Sequence, residues 1–372
     1  MSNTIEITEN QCRLDNTVLP QELSNSVAKT ASISAKAPAK LILSGEHAVV
    51  YGFPSIAIAI DLYATSEVSK NRHNILGFDF ANLKYNAKHT INTLSKLKDK
   101  AFVDYHRFLR GECSIREVVH KPFELLQFAV SHFLDKLDIS LPGGIDIKTN
   151  STIPTGCGLG SSAATIMSLL YAVGHLLDLD LTKNRYIELG KTAENLQHGK
   201  SSGLDIFLTV EGGCMKYEAG QIKKLDITTA NMYLINTGRP IVTTGECVSM
   251  VKKHFINNDK LGYEFAELTL SLEKKLLDNN LNDIAEIIKE NHKLLNYIGV
   301  VPSTINNFIG QIEQTGASAK ICGAGATAGQ NAGAVLVVTP SHTDTDELYN
   351  LVKQQGFSMQ PINLDNHGIR IL

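Results

Sequence analysis

The 372-residue chain has no tryptophan, and aromatic residues make up only 6% of it. That absence removes the aromatic belt of a membrane protein and an aromatic-rich recognition face. No C-x-x-C pair is present: the six cysteines stand apart at 12, 113, 157, 214, 247 and 322. Without metal-ligand spacing or a histidine partner they read as reduced intracellular thiols, neither a disulfide framework nor a zinc site. The start, MSNTIEITENQCRLDNTV, lacks a basic stretch ahead of an apolar core and does not read as a signal peptide. Apolar runs are short, and the one after Ser162 is broken by Gly174 and His175, well below membrane length. Positive charge is not in excess either. A formal net charge of −3 argues against non-specific nucleic-acid binding. What remains is a cytoplasmic globular chain with no membrane or nucleic-acid partner. Its 43% apolar and 20% charged residues suffice for a sizeable core.

Apolar periodicity supplies the outline. Residues 1–30 are polar with weak alternation and read as an N-terminal extension or an extra edge strand. ASISAKAPAKLILSGEHAVVYGFPSIAIAID alternates as a strand, turns at glycines, and enters a second strand over Ile56–Ile60. Residues 62–110 are mixed. Val119, Phe123, Leu126 and Ala129 recur at helical spacing and predict a helix over 115–137. GGIDIKTNSTIP reads as a strand, followed by helices near 161–178 and 184–198 and strands over 207–217 and 231–237. The second half shows two long helical stripes, Phe265–Leu268–Leu272–Leu276 and Ile284–Ile288–Leu295, then a glycine-rich loop before the strand AVLVV. Strands and helices mix without a regular βαβ beat, so the fold class is α+β, with two layers per domain. The division falls near 220–230, giving domains over 31–225 and 226–372.

The most informative stretch is IPTGCGLGSSAATIMSLL, from Ile153. Glycines at 156, 158 and 160 let the backbone approach a ligand closely. The helix beginning near Ser161 turns unpaired N–H groups and its positive dipole end toward that loop. Together they form an anion site suited to phosphate, with Ser161 and Ser162 as helix caps and a serine hydroxyl available to a phosphate-bound Mg²⁺. A helix entrance with serine caps and no ligand is the plainer alternative. No lysine follows the glycines as in a Walker loop, and the G-x-G-x-G spacing after a proline is a poor Rossmann fingerprint.

PTGCGLGSSAA resembles the second motif of the galactokinase–homoserine kinase–mevalonate kinase–phosphomevalonate kinase (GHMP) superfamily. APAKLILSGEHAVVYGFPSIAIAI is similar to its first motif in the form found in mevalonate kinases. HGKSSGLDIFLTVEGG, ENHKLLNYIGV and AKICGAGATAGQNAGAVLVV resemble further segments of that family, in its order, over roughly 33–338. The resemblance implies a two-domain fold with a ribosomal protein S5-like N-terminal domain that binds ATP and a ferredoxin-like C-terminal domain. It also implies ATP with Mg²⁺, phosphoryl transfer to the primary hydroxyl of mevalonate, and a homodimer.

Residue by residue, the resemblance places Pro154, Gly156, Gly158, Leu159, Gly160, Ser161, Ser162 and Ala163 around the nucleotide. Lys40 would stand near the acceptor oxygen and the γ-phosphate, and Asp205 would orient or deprotonate the acceptor hydroxyl. Apart from the motifs, Lys40 reads as a solvated strand residue and Asp205 as a helix cap. Ser162 and Glu194 would hold Mg²⁺ through oxygen atoms, the usual manner for this ion. Glu46, His47, Gly323, Ala324 and either Thr243 or Thr244 would line the acceptor pocket. Asn291 continues an apolar stripe and faces inward, either in a core hydrogen bond or against substrate. Adenine contacts are expected within 62–115.

Two features depart from the pattern. Ala39 stands where glycine is commoner, and ATAGQNAG replaces the glycine run of the third motif. The second leaves open a related acceptor, such as phosphomevalonate or a sugar. A catalytically silent nucleotide-binding sensor is disfavoured by the presence of Lys40, Ser162, Glu194 and Asp205 together.

Overall fold

The structure, a computed structural model, describes residues 32–141, 143–227, 231–256 and 259–372. The N-terminal extension expected over 1–30 lies outside the described residues. The described residues form one compact unit.

The first sheet begins with β1 (Ser32–Ser44) and the long β2 (Ser55–Asn71), joined by a short 3₁₀ turn over Ala48–Tyr51. Then come β3 (Ile75–Phe80), β4 (Tyr85–Thr90), α1 (Ile91–Leu109), α2 (Pro122–Lys136) and β5 (Gly144–Ser151). Three helices follow, α3 (Ser161–Leu176), α4 (Lys183–His198) and α5 (Leu204–Glu211), then β6 (Cys214–Glu218) and β7 (Gln221–Leu225). The second half comprises β8 (Met232–Asn236), α6 (Thr244–Ile256), α7 (Asp259–Leu277), α8 (Leu281–Tyr297) and α9 (Ser303–Gln314). It closes with β9 (Ser318–Ile321), β10 (Ala334–Val338), α10 (Thr345–Gln354), β11 (Ser358–Pro361) and β12 (Arg370–Ile371).

Eight strands form the first sheet in the order β12-β1-β2-β5-β3-β4, with β6 pairing β2 and β7 pairing β6. Only β3 and β5 run parallel. The chain therefore returns at its end to pair β12 with β1. The second sheet is antiparallel, β11-β8-β10-β9, with every residue of AVLVV in β10 buried.

Period-two alternation decides which face of β1 does what. Ala35, Ala37, Ala39, Leu41 and Leu43 point into the main core beneath α3. The opposite face meets α5, where Ala57 and Ala59 of β2 pack with Leu204 and Leu208. Proline cannot donate to the ladder, and the pairing with β2 shifts register between Pro38 and Ala39. Lys40 follows directly on the α5 side.

Three expectations are corrected. Residues 207–211 belong to α5 and not to a strand; a short apolar run such as DIFLTV is compatible with either until packing decides. The helix over 115–137 is a 3₁₀ turn at Ile115–Glu117, a break, and then α2 from Pro122. Neither Ser161 nor Ser162 caps α3. Its N-cap is Gly160 in the left-handed region, with no side-chain cap.

Candidate active site

A cavity of about 420 Å³ opens where the β1 turn, the loop before α3, the α4–α5 corner and the loop after β9 converge. On its wall lie Lys40, Glu46, His47, Gly156, Gly158, Leu159, Gly160, Ser161, Ser162, Ala163, Glu194, Asp205, Thr244, Gly323 and Ala324. Of the residues marked in the sequence, Pro154, Thr243 and Asn291 do not reach it. Thr243 is committed elsewhere, because its backbone N–H donates to Glu246 at 2.8 Å and its hydroxyl accepts from the Glu246 N–H. That reciprocal pair starts α6 as a capping box and leaves the cavity wall to Thr244.

Backbone packing builds the loop. Gly160 has φ +67°, and a Cβ there would stand 2.7 Å from Cγ of Lys40, so glycine leaves room for the lysine stem. Gly158 packs backbone-to-backbone on the third motif: a Cβ would sit 3.0 Å from the Cys322 carbonyl oxygen and 3.1 Å from the Gly323 Cα. The Lys40 backbone N–H donates to the Leu159 carbonyl at 3.0 Å, tying β1 to the same loop.

Lys40 Nζ lies 3.1 Å from Asp205 Oδ1, the lysine side chain 9% exposed and the aspartate 28%. The first turn of α5 carries the carboxylate to the lysine across the β1 face. Glu194, on the inner side of α4, accepts from the Ser201 hydroxyl. Burial, then the negative charge of Asp205, push its carboxyl up to about 7. Ser162 Oγ donates to Gln197 Oε1 at 2.7 Å. No cluster of three or more histidine, cysteine or acidic side chains suited to a metal occurs among the described residues.

The other end of the cavity is sealed. Glu46, 1% exposed, pairs with Lys320 of β9, which is fully buried and also donates to the Ile321 carbonyl at 3.1 Å. Burial pushes the Glu46 carboxyl up, and the Lys320 ammonium pulls it back. His47 holds φ +62° and places Nε2 3.1 Å from the Ala324 carbonyl oxygen. Burial drops its pKa to about 4, so the ring is neutral near pH 7. Asn291 is buried on α8, off the cavity wall, and neither end of its amide has a partner among the described residues. Of the two readings left open for it, neither a core hydrogen bond nor a place on the cavity wall is found among the described residues.

Sequence reasoning missed a buried lysine behind the wall, two basic residues on it and one apolar end. Lys320 stands three residues before Gly323 but reads as part of a strand. Arg239 lines the cavity, its Nε 3.1 Å from where a Cβ on Gly156 would be, with no acidic partner among the described residues. His198 lines it beside Asp205. Leu83, Pro122, Leu125 and Leu126 form an apolar end; only Leu83 falls within 62–115. Apolar side chains there look like any core residue, so no local signal distinguishes them.

Comparison with known proteins bears on the family and the fold. Residues 124–213 match the GHMP kinases N terminal domain. The fold is that of the Methanococcus jannaschii mevalonate kinase crystal structure, with a TM-score of 0.76 at 23% identity over 91% of this chain and all of that one. Leishmania major mevalonate kinase, solved in complex with R-mevalonate, superposes with a TM-score of 0.69 at 18% identity, covering 92% and 99% of the two chains. The fold is therefore the two-sheet α+β fold of these kinases, and the segment before β6 carries the GHMP kinases N terminal domain match. The Pyrococcus horikoshii mevalonate kinase is 31% identical over 355 residues, spanning 91% of this chain and 97% of its own length. At that identity and coverage the chain belongs to the mevalonate kinase family.

Proposed function

We propose that this protein transfers the γ-phosphoryl group of ATP to the primary hydroxyl of mevalonate, giving 5-phosphomevalonate for isoprenoid precursor synthesis. The observation that carries the reading is the Lys40–Asp205 pair at 3.1 Å, set against the glycine loop at the mouth of α3.

The bond from the acceptor oxygen to Pγ forms as the bond from Pγ to the β-phosphate oxygen breaks, and the hydroxyl proton leaves toward Asp205. Asp205 accepts that proton or holds the hydroxyl in line; Lys40 stabilises the charge that builds on the γ-phosphoryl oxygens. The loop N–H groups at the α3 N-terminus would cradle the phosphates. The apolar end around Leu83, Leu125 and Leu126 suits a purine ring, and the Glu46–His47 end suits the acceptor. Both ends would be built on residues 31–225, with Arg239, Thr244, Gly323 and Ala324 of 226–372 completing the wall.

Ser162 and Glu194 would hold Mg²⁺. The fit rests on chemistry: both offer hard oxygen atoms, and Glu194 is a buried carboxyl beside another carboxylate, where a cation offsets the repulsion. The ion would neutralise charge on the β- and γ-phosphates.

A coupled ADP-release assay with mevalonate, phosphomevalonate, galactose and homoserine tests the reading. Mevalonate-dependent ADP release supports it. Turnover with a different acceptor alone would move the substrate assignment, with the third-motif loop as the first place to look.

A further inference from the structure

Lys320 is the most unusual charged residue described. It is fully buried, its partner Glu46 is 1% exposed, and the two are brought together from β9 and the β1 turn, 274 positions apart in sequence. A buried ion pair seldom adds net stability over well-packed apolar groups, because both charges lose their hydration. Its place behind the cavity wall, with Glu46 on that wall, asks for another use.

The unpartnered atoms show one. Lys320 occupies Oε1 of Glu46, while Oε2 is buried, without a hydrogen-bond partner, in a residue that lines the cavity. Beside it, His47 Nδ1 is likewise buried and unpartnered. A carbonyl oxygen can only accept, so the His47 Nε2–Ala324 contact requires the proton on Nε2. In the neutral ring Nδ1 is then a bare acceptor. Two unpartnered acceptors on consecutive residues that line the cavity, one of them a carboxylate, repel an anion and call for a donor.

We infer that Lys320 is a positioning residue of the acceptor site: it fixes Glu46 as a carboxylate with one oxygen reserved for a hydroxyl of the acceptor, so that this end takes a hydroxyl-bearing group and rejects a phosphorylated or carboxylate one. The inference rests on the phosphotransferase reading above and names how its acceptor is chosen. The charged and titratable groups that bear on the pair are Lys40 of β1, Cys322 after β9, His47 of the turn and His292 of α8.

The test is steady-state kinetics with ATP and mevalonate varied separately, from pH 5.5 to 9, on wild type, Lys320→Met and the double variant Glu46→Gln/Lys320→Met. The double variant replaces the pair by neutral groups of similar size and guards against a single variant that fails to fold. Lys320→Met is expected to raise the mevalonate KM at least tenfold while leaving the ATP KM within twofold. Its kcat/KM for mevalonate should gain an ionisation that disappears in the double variant, because without Lys320 the buried Glu46 protonates. The double variant should unfold near the wild-type midpoint and keep the raised mevalonate KM. A double variant with wild-type mevalonate KM, or a Lys320→Met that raises both KM values together, would overturn the inference and leave the phosphotransferase reading standing. Wild-type turnover of another hydroxyl acceptor would overturn the mevalonate reading instead, and the same KM split is then expected for that acceptor. No turnover of any acceptor overturns both.

Discussion

Two lysine–carboxylate pairs face one cavity, and they differ in almost everything except composition. Lys40–Asp205 is open, its aspartate 28% exposed, and joins residues of two motifs at the reacting end. Lys320–Glu46 is sealed, its members 0% and 1% exposed, and joins a strand to a turn behind the acceptor end. An open pair can trade its partner for an incoming phosphate or hydroxyl at modest cost, since water already screens it. A sealed pair cannot, because separating it strands a charge in an apolar surrounding. Burial, more than chemistry, separates a group that reacts from a group that holds.

The contrast breaks most visibly at Lys40. Lys40→Met should lower kcat by about 10³-fold or more through lost charge stabilisation at the transferred group, with little change in the unfolding midpoint. Rate assays and thermal unfolding on the same preparation check it. Lys320→Met should do the opposite to stability, costing about 3–5 kcal/mol because Glu46 is left buried and unpaired. Urea denaturation reads that loss; one below about 1 kcal/mol would mean that water reaches the pair.

A smaller effect sharpens the open end. Gly160→Ala puts a Cβ where the Lys40 stem runs, at φ +67°. The left-handed backbone costs about 1–2 kcal/mol, and displacing Lys40 by even 1 Å costs up to about 10²-fold in kcat. A kcat within twofold of wild type would show that the stem has room to move.

Most gradual is the pH dependence of the sealed regions, where the loss accrues only as pH falls below about 6.5. His47, His132 and His292 are buried, and desolvation lowers each pKa to about 4 from the ordinary 6.5. The unfolded chain therefore binds protons first. Stability is complete above about pH 6.5 and is lost as pH falls toward 4, by about 1.4 kcal/mol per pH unit for each histidine. Denaturation midpoints measured from pH 7 to 5 should fall accordingly; a flat profile would mean these rings are already charged in the fold.

The same division explains what could be read in advance. The open end is written in short contiguous strings: A-P-A-K around Lys40, G-L-G-S-S across the start of α3 and S-G-L-D around Asp205. Each string needs only its neighbours to form a turn, a helix entrance or a bulge. The sealed end depends on pairings made across the fold, and nothing near Lys320 in sequence marks it as buried. Arg239 and the apolar end fail for the same reason, since an arginine after a strand and a leucine on a helix look alike wherever they face. Local errors came from weak local signals. Gly160 replaced the serines as the α3 cap because the left-handed turn there needs glycine beside Lys40. DIFLTV became a helix because Leu204 and Leu208 have the β1–β2 face to cover.

The most direct test is Asp205→Asn, assayed for mevalonate-dependent ADP release beside its unfolding midpoint and its ATP affinity. The open pair as the reacting centre predicts kcat lower by about 10²–10⁴-fold, with ATP affinity and midpoint close to wild type. Turnover near the wild-type rate would contradict the account, because the carboxylate would then be only a partner for Lys40 and the proton would have to leave by another route.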